Sequence, residues 1–341
     1  MKGGVLFMYK EKGFTIFEKL ALICTCILSI TYILCSTQFV HAADAKNQGE
    51  TKKAESKITY NKETYTLKSN IETTLFMGID NVNNEQEDGT VDSLGDSGMA
   101  DCLFLVVSDK DTGKSQIIGI NRDTMTDVDM LDIYGEYFRT ANLQIALSHG
   151  YGDGKEQSCL NTVKAVSNLF GGIKIDHYVA MKMAAIPTIN DAIGGVSVEV
   201  LEDLTSQDPA LAKGKTVELK GKQSLQYVKY RDTDKLDSNQ LRIQRQKQYI
   251  TAFTKKLASE TSKDPFSILT LYKQIQKYVV TDLNTAQMQT LFDKFAKSGL
   301  GDENFHMVSG KLTEGKIYAE FHADEKGLKE LVLDLFYTKQ K

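Results

Sequence analysis

TLFMGID (Thr74–Asp80), ADCLFLVVS (Ala100–Ser108) and SQIIGIN (Ser115–Asn121) are three almost wholly apolar runs, and DKDTGK (Asp109–Lys114) joins the last two. Runs of this length rich in Val, Ile, Leu and Phe read as strands buried on both faces, and the Asp/Gly-rich connection reads as a hairpin turn. Helical periodicity surrounds them, at Thr140–His149, Ser158–Leu169, Met183–Ile193, Gly221–Lys229, Leu241–Thr261, Ser267–Tyr278, Thr285–Ser298 and Glu325–Tyr337. Shorter strand patterns lie at Thr64–Leu67, Ile175–Met181, Val196–Val200, Thr216–Leu219 and Phe305–Ser309. Gly171-Gly172 and Gly194-Gly195 mark helix ends, and Ser158 suits a helix cap. Strands and helices intermix without a linker, which predicts one α/β domain over 71–338 with a central mixed sheet flanked by helices.

The chain has 341 residues, 41% hydrophobic and 25% charged, with no Trp and three Pro. Cys24, Cys26 and Cys35 fall in an N-terminal apolar run, leaving Cys102 and Cys159 in the body, so neither a disulfide framework nor a CxxC metal pattern is present. That run, LALICTCILSITYILCSTQFV (Leu20–Val40), carries no charge and follows Lys2, Lys10, Lys12 and Lys19. Its length fits a membrane span with residues 1–19 in the cytoplasm. A cleaved signal peptide is the alternative, since Val40-His41-Ala42 offers a small-residue cleavage site. Either reading exports the body. Residues 41–70, rich in Lys, Glu, Asn and Thr, read as an extracytoplasmic linker.

Charge is concentrated in one place. From Lys220 to Gln248 there are eight Lys/Arg against three Asp, a local +5 in a chain of net charge −4. Within KYRDTDKLDSNQLRIQRQKQ (Lys229–Gln248), Asn239 opens a helical run in which Asn239, Arg242, Arg245 and Gln246 share an arc of roughly 120°. Two guanidiniums and two amides on the first turns of a helix suit a phosphate; the plainer alternative is a solvated helix start. Asp80 and Asp101, at the end of one strand and the start of the next, suit a hard divalent cation, Mg²⁺ with Mn²⁺ possible by the same chemistry, rather than Zn²⁺; the plainer alternative is two loop acids facing solvent. Arg122 and Asp123 follow the hairpin's second strand and fall at the same end as Asp101. A metal, arginines and spare carboxylates make a phosphoryl-transfer constellation, because that reaction needs charge neutralisation and in-line placement more than covalent help. No Ser-His-Asp or Cys-His set competes, and Gly150-Tyr-Gly-Asp-Gly154 lacks the Lys-Ser/Thr of a phosphate loop.

In this order, Gly78-Ile79-Asp80, the acid-led strand from Asp101, Arg122-Asp123-Thr124 and Arg242-Ile-Gln-Arg245-Gln246 resemble the LytR-CpsA-Psr (LCP) family over roughly Thr74–Tyr337. The resemblance implies an α/β fold with a lipid-filled cleft. It implies an enzyme that moves a teichoic-acid-like or capsular glycopolymer from a polyprenyl diphosphate carrier to peptidoglycan at the membrane; no nucleic-acid partner is expected, because the basic cluster lies on the exported side of the span and no DNA-reading motif is present. It places Asp80 and Asp101 on the metal carboxylates, Arg122 and Arg231 on diphosphate ligands, and Arg242 with Gln246 on the second half of the clamp. Three departures stand out: Lys229-Tyr230-Arg231 for Arg-x-Arg, Asn239 where an acid is frequent, and Asn142-Leu143-Gln144 for Lys-Ile/Leu-Asn. Lys229 keeps the charge and loses the bidentate fork. A polyprenyl diphosphate hydrolase and a non-catalytic glycan-binding module are the rival functions.

Overall fold

The computed structural model describes residues 52–80, 97–132, 134–232, 235, 238–264, 266–298 and 301–340. The span at 20–40, the candidate cleavage site and the acidic loop after Asp80 lie outside the described residues. Among the described residues no helix is long and apolar enough to cross a membrane.

In chain order the first half runs β1 (Lys57–Tyr60), β2 (Glu63–Leu67), β3 (Ile71–Asp80), β4 (Met99–Asp109), β5 (Ser115–Ile120), β6 (Met125–Leu131), β7 (Tyr137–Gln144), α1 (Leu147–Gly150), α2 (Glu156–Leu169) and β8 (His177–Lys182). It continues with α3 (Ile186–Ala192), β9 (Val196–Glu199), β10 (Thr216–Leu219), α4 (Lys222–Lys229), α5 (Ser238–Lys263), α6 (Ser267–Ile275), β11 (Val279–Thr281) and α7 (Thr285–Ser298). It closes with β12 (Phe305–Met307), β13 (Gly310–Glu314), β14 (Ala319–Ala323), α8 (Glu325–Phe336) and β15 (Tyr337–Lys339).

The three apolar runs are the middle of a six-stranded sheet ordered β11-β8-β3-β4-β5-β12. It is mixed: β3 pairs antiparallel with β4 and parallel with β8, and β5 pairs parallel with β12. The turn between β4 and β5 forms because the Asp109 carboxylate accepts from the amides of Asp111 and Thr112 at 2.9 and 2.8 Å. One sheet face packs Leu75, Met77, Leu103 and Leu105 against α2 and α8; the other turns Phe104, Val106 and Ile117 toward Met288 and Leu291 of α7.

A β-bulge in β4 decides where the site falls. Gly78 pairs with Cys102 and Ile79 with Ala100, so Asp101 is an extra residue with no counterpart in β3. Beyond it the strand's facing is reversed: Ala100 joins Leu103 and Leu105 in the same core cluster, although an unbroken strand would turn it with Cys102 and Phe104. Gly78 permits this close pairing, since a Cβ there would lie 2.8 Å from that of Cys102.

The structure corrects the expected elements at four places. Thr140–His149 is no helix: 137–144 is strand β7, paired with β6 from Met125↔Gln144 to Leu131↔Tyr137, and only Leu147–Gly150 is helical. Cross-strand pairing there overrides a weak helical period. Part of the expected linker is folded, because β1 and β2 form a hairpin that pairs with β15. Its two loop residues, Asn61 and Lys62, both have positive φ, as a type I′ turn requires, and Ile58, Tyr60, Tyr65 and Leu67 pack on the main core. The hairpin β13–β14 was not anticipated. Ser158 lies inside α2 rather than capping it; its hydroxyl accepts from the Gly154 amide at 2.8 Å.

Candidate active site

Four segments converge at one end of the sheet. β3 delivers Asp80 and the bulge in β4 delivers Asp101. The residues after β5 supply Asn121, Arg122 and Asp123, and the first turns of α5 supply Asn239 and Arg242. The Asp101 carboxylate takes Arg122 Nη1 at 2.7 Å on one oxygen and Arg242 Nη1 at 3.1 Å on the other. Arg242 Nη2 donates to Asn239 Oδ1 at 2.7 Å, and Asn239 Nδ2 donates to Asn121 Oδ1 and, at 3.1 Å, to Asp123 Oδ2. The second Asp123 oxygen accepts from Gln144 Nε2 at 3.1 Å and lies 3.6 Å from Arg122 Nε. Lys229 Nζ meets Asp80 at 2.7 Å on a more exposed flank.

The group is dry. Asp101, Asp123, Asn239 and Arg242 are 7%, 2%, 1% and 3% exposed. Burial pushes the Asp123 carboxyl up, although Arg122, Arg231 and Arg242 all favour its charged form, and burial pulls the Arg242 guanidinium down against the pull of Asp101. Arg122, Arg231, Arg242 and Lys229 stand against Asp80, Asp101 and Asp123, so the cations outnumber the acids by one. The Nε–H groups of Arg122, Arg231 and Arg242 are buried with no hydrogen-bond partner. Buried donors left over in a basic cluster suit an anion with several oxygens.

The cluster sits at the rim of an apolar cavity of about 210 Å³. Phe76, Cys102, Phe104 and Val106 of the sheet form its floor, and Tyr249, Ile250, Phe253 and Leu257 of α5, with Met288 and Phe292 of α7, form its roof. Burial pushes the Cys102 thiol up to about 12, so it adds no charge. Gln246 lines this cavity and donates to the Val228 carbonyl at 3.2 Å, so it joins α5 to α4 at the rim.

Arg245 does not join the cluster with which the helical arc groups it. It is 1% exposed, pairs through Nε with Glu202 at 2.9 Å, and donates to the carbonyls of Tyr227 and Tyr230. The arc left room for this, since Arg245 lies at its edge and the backbone after α4 fills that side. Conversely Asn121 and Gln144 belong to the site and were not expected. Gln144 appeared only as a departure from a family block, and its role depends on the β6–β7 pairing that the helical reading missed.

For a divalent cation the chain offers two carboxylates. Among the described residues no group of three or more His, Cys, Asp or Glu is placed to hold a metal. Asp101 Oδ1 is nevertheless buried and accepts no hydrogen bond, its contact with Arg122 being an ion pair only. Two hard oxygen ligands, with the rest from phosphate and water, fit Mg²⁺, which is commonly held in that way.

A model of the LytR_cpsA_psr family matches residues 32–333, beginning well before the blocks from Thr74 onward. The chain is 25% identical over 241 residues to the polyisoprenyl-teichoic acid–peptidoglycan teichoic acid transferase TagU of Bacillus licheniformis, covering 71% of this chain and 72% of that protein. Among solved structures it is similar to protein gbs0355 from Streptococcus agalactiae (TM-score 0.61, 18% identity, 79% of this chain and 90% of that one). It is also similar to TagV of B. subtilis (TM-score 0.57, 21% identity, 79% and 97%). The two structures share its fold.

Proposed function

The chain belongs to the LytR_cpsA_psr family, and from that premise we propose that it transfers a glycopolymer, teichoic-acid-like or capsular, from a polyprenyl diphosphate carrier to a peptidoglycan hydroxyl in cell-wall assembly. One observation carries the reading: a buried cationic cluster with unspent Nε–H donors adjoins an apolar cavity whose lining includes Cys102, next to Asp101, and Gln246, one turn from Arg242. A polyprenyl diphosphate has those two halves, an anionic head and an apolar tail.

The acceptor hydroxyl attacks the glycan-side phosphorus and gives its proton to Asp123. The new P–O bond forms as the bond to the bridging oxygen breaks, and polyprenyl phosphate leaves with the bridging oxygen. Arg122, Arg231 and Arg242 bind the diphosphate and stabilise charge as it develops. Asn239 and Gln144 hold the two Asp123 oxygens and so fix the base. Lys229 keeps Asp80 in place. Mg²⁺ (or Mn²⁺) held by Asp80 and Asp101 would neutralise phosphate charge. Residues 20–40 anchor the enzyme in the cell membrane with its N-terminus cytoplasmic and the body outside.

The test is transfer from a polyprenyl-diphosphate glycan by Arg231→Ala, Arg242→Ala and Gln244→Ala, the last a solvent-facing neighbour on α5. Each Arg variant should lose about 30- to 1,000-fold, the value of about 2–4 kcal/mol of charge stabilisation, while Gln244→Ala turns over like the parent. Equal activity in all three would make the cluster structural. Release of polyprenyl phosphate without any acceptor product would make the protein a hydrolase.

A further inference from the structure

The hairpin β13–β14 carries an apolar tip beside the reactive group, and this feature has no part in the donor site. Ile317 and Tyr318 are 80% and 70% exposed. Gln144 Nε2, which holds Asp123 Oδ1 at 3.1 Å, also donates to the carbonyl of Ala319 at 2.6 Å. The Phe321 amide donates to the Asp123 carbonyl at 2.8 Å. β14 meets Thr124 through a parallel bridge at Phe321, so residues before Phe321 lie alongside residues before Thr124. The tip therefore lies at the Asn121–Asp123 end, one residue from the atom that Gln144 binds.

Asp123 is thus gripped from two sides. Asn239, on α5, reaches it from the helix that roofs the lipid cavity, and Gln144, at the end of β7, reaches it from the side on which β14 lies. We propose that Ile317 and Tyr318 form an acceptor subsite, on which a sugar ring of the receiving glycan strand stacks while its hydroxyl is presented to Asp123. The proposal rests on the transferase reading. The occupant follows from placement and chemistry. The donor's tail takes the cavity and its diphosphate the arginines, which leaves the hairpin side for the acceptor. A pyranose has an apolar C–H face and radial hydroxyls, and an exposed tyrosine is a rigid, amphipathic platform for such a face.

Binding of soluble, peptide-free peptidoglycan glycan strands to the full chain tests this, measured by calorimetry beside transfer. The variants are Tyr318→Ala, Tyr318→Phe and Tyr134→Ala. Tyr134 is 83% exposed, but it lies in the turn at the far end of β6–β7, where Leu131 pairs with Tyr137, away from Gln144. Tyr318→Ala should weaken strand binding about tenfold and raise the acceptor KM alike, with donor KM and kcat unchanged. Tyr318→Phe and Tyr134→Ala should match the parent. Strand binding by Tyr318→Ala equal to the parent's, an equal loss in Tyr134→Ala, or no binding by the parent overturns the subsite. A parent that transfers normally while Tyr318→Ala binds normally sinks the subsite alone. A parent that binds strands through Tyr318 and transfers nothing sinks the transferase reading and leaves the subsite standing.

Discussion

Asp101 holds two guanidiniums on one carboxylate, and that changes what its replacement does. Read from sequence as an acid at a strand start, Asp101→Asn should empty a metal site at little cost in stability. In the structure the same change leaves Arg122 and Arg242 short of a buried counter-charge. Asp101→Asn is therefore expected to lose about 3 kcal/mol of unfolding free energy, as when one partner of a buried pair is removed. It is also expected to slow transfer at least about 100-fold at every Mg²⁺ concentration. Chemical denaturation and transfer assays with added Mg²⁺ or chelator check both. An unfolding midpoint equal to the parent's would mean that the two arginines do not depend on Asp101.

The helix α5 does two jobs with residues three apart, and Arg245 does the second. Its contacts to Glu202 and the carbonyls of Tyr227 and Tyr230 pin the backbone that carries Lys229 and Arg231. Arg245→Ala should lower stability by about 2–4 kcal/mol, because Glu202 and two carbonyls lose their partner together. Its turnover should fall less than that of Arg242→Ala. If denaturation shows no loss while transfer collapses as for Arg242→Ala, Arg245 acts on substrate after all. This division shows what could be read from sequence. Periodicity places Asn239, Arg242 and Gln246 near one another, and they are found at one rim. It cannot tell which side α4 covers, so Arg245 is grouped with them. The apolar runs of β3, β4 and β5 were legible because burial on both faces leaves no polar break. β6, β7, β13 and β14 were not, because each pair is a separate two-stranded hairpin in which exposed polar residues interrupt the apolar pattern. Asn121 and Gln144 follow from those pairings, and polar residues of this kind carry no period of their own. The β1–β2 turn did leave a signal, alternating apolar residues around Asn61-Lys62, hidden by the polar composition of its surroundings.

At the scale of the whole molecule, the proposed orientation makes a simple demand. A reporter fused after Lys341 should be active outside the cytoplasm, and activity only inside would remove the body from its acceptor. The hairpin after residue 57 pairs with β15, so both ends of the folded body meet in one small sheet. The bulge in β4 has a consequence for inheritance. Substitutions at Asp101 alter one side chain, but loss of the Ala100 codon would seat Asp101 opposite Ile79, facing the hydrocarbon interior beside Leu75 and Leu103. In-frame deletions at 99–101 should therefore be rarer among functional descendants than amino-acid replacements at the same three positions.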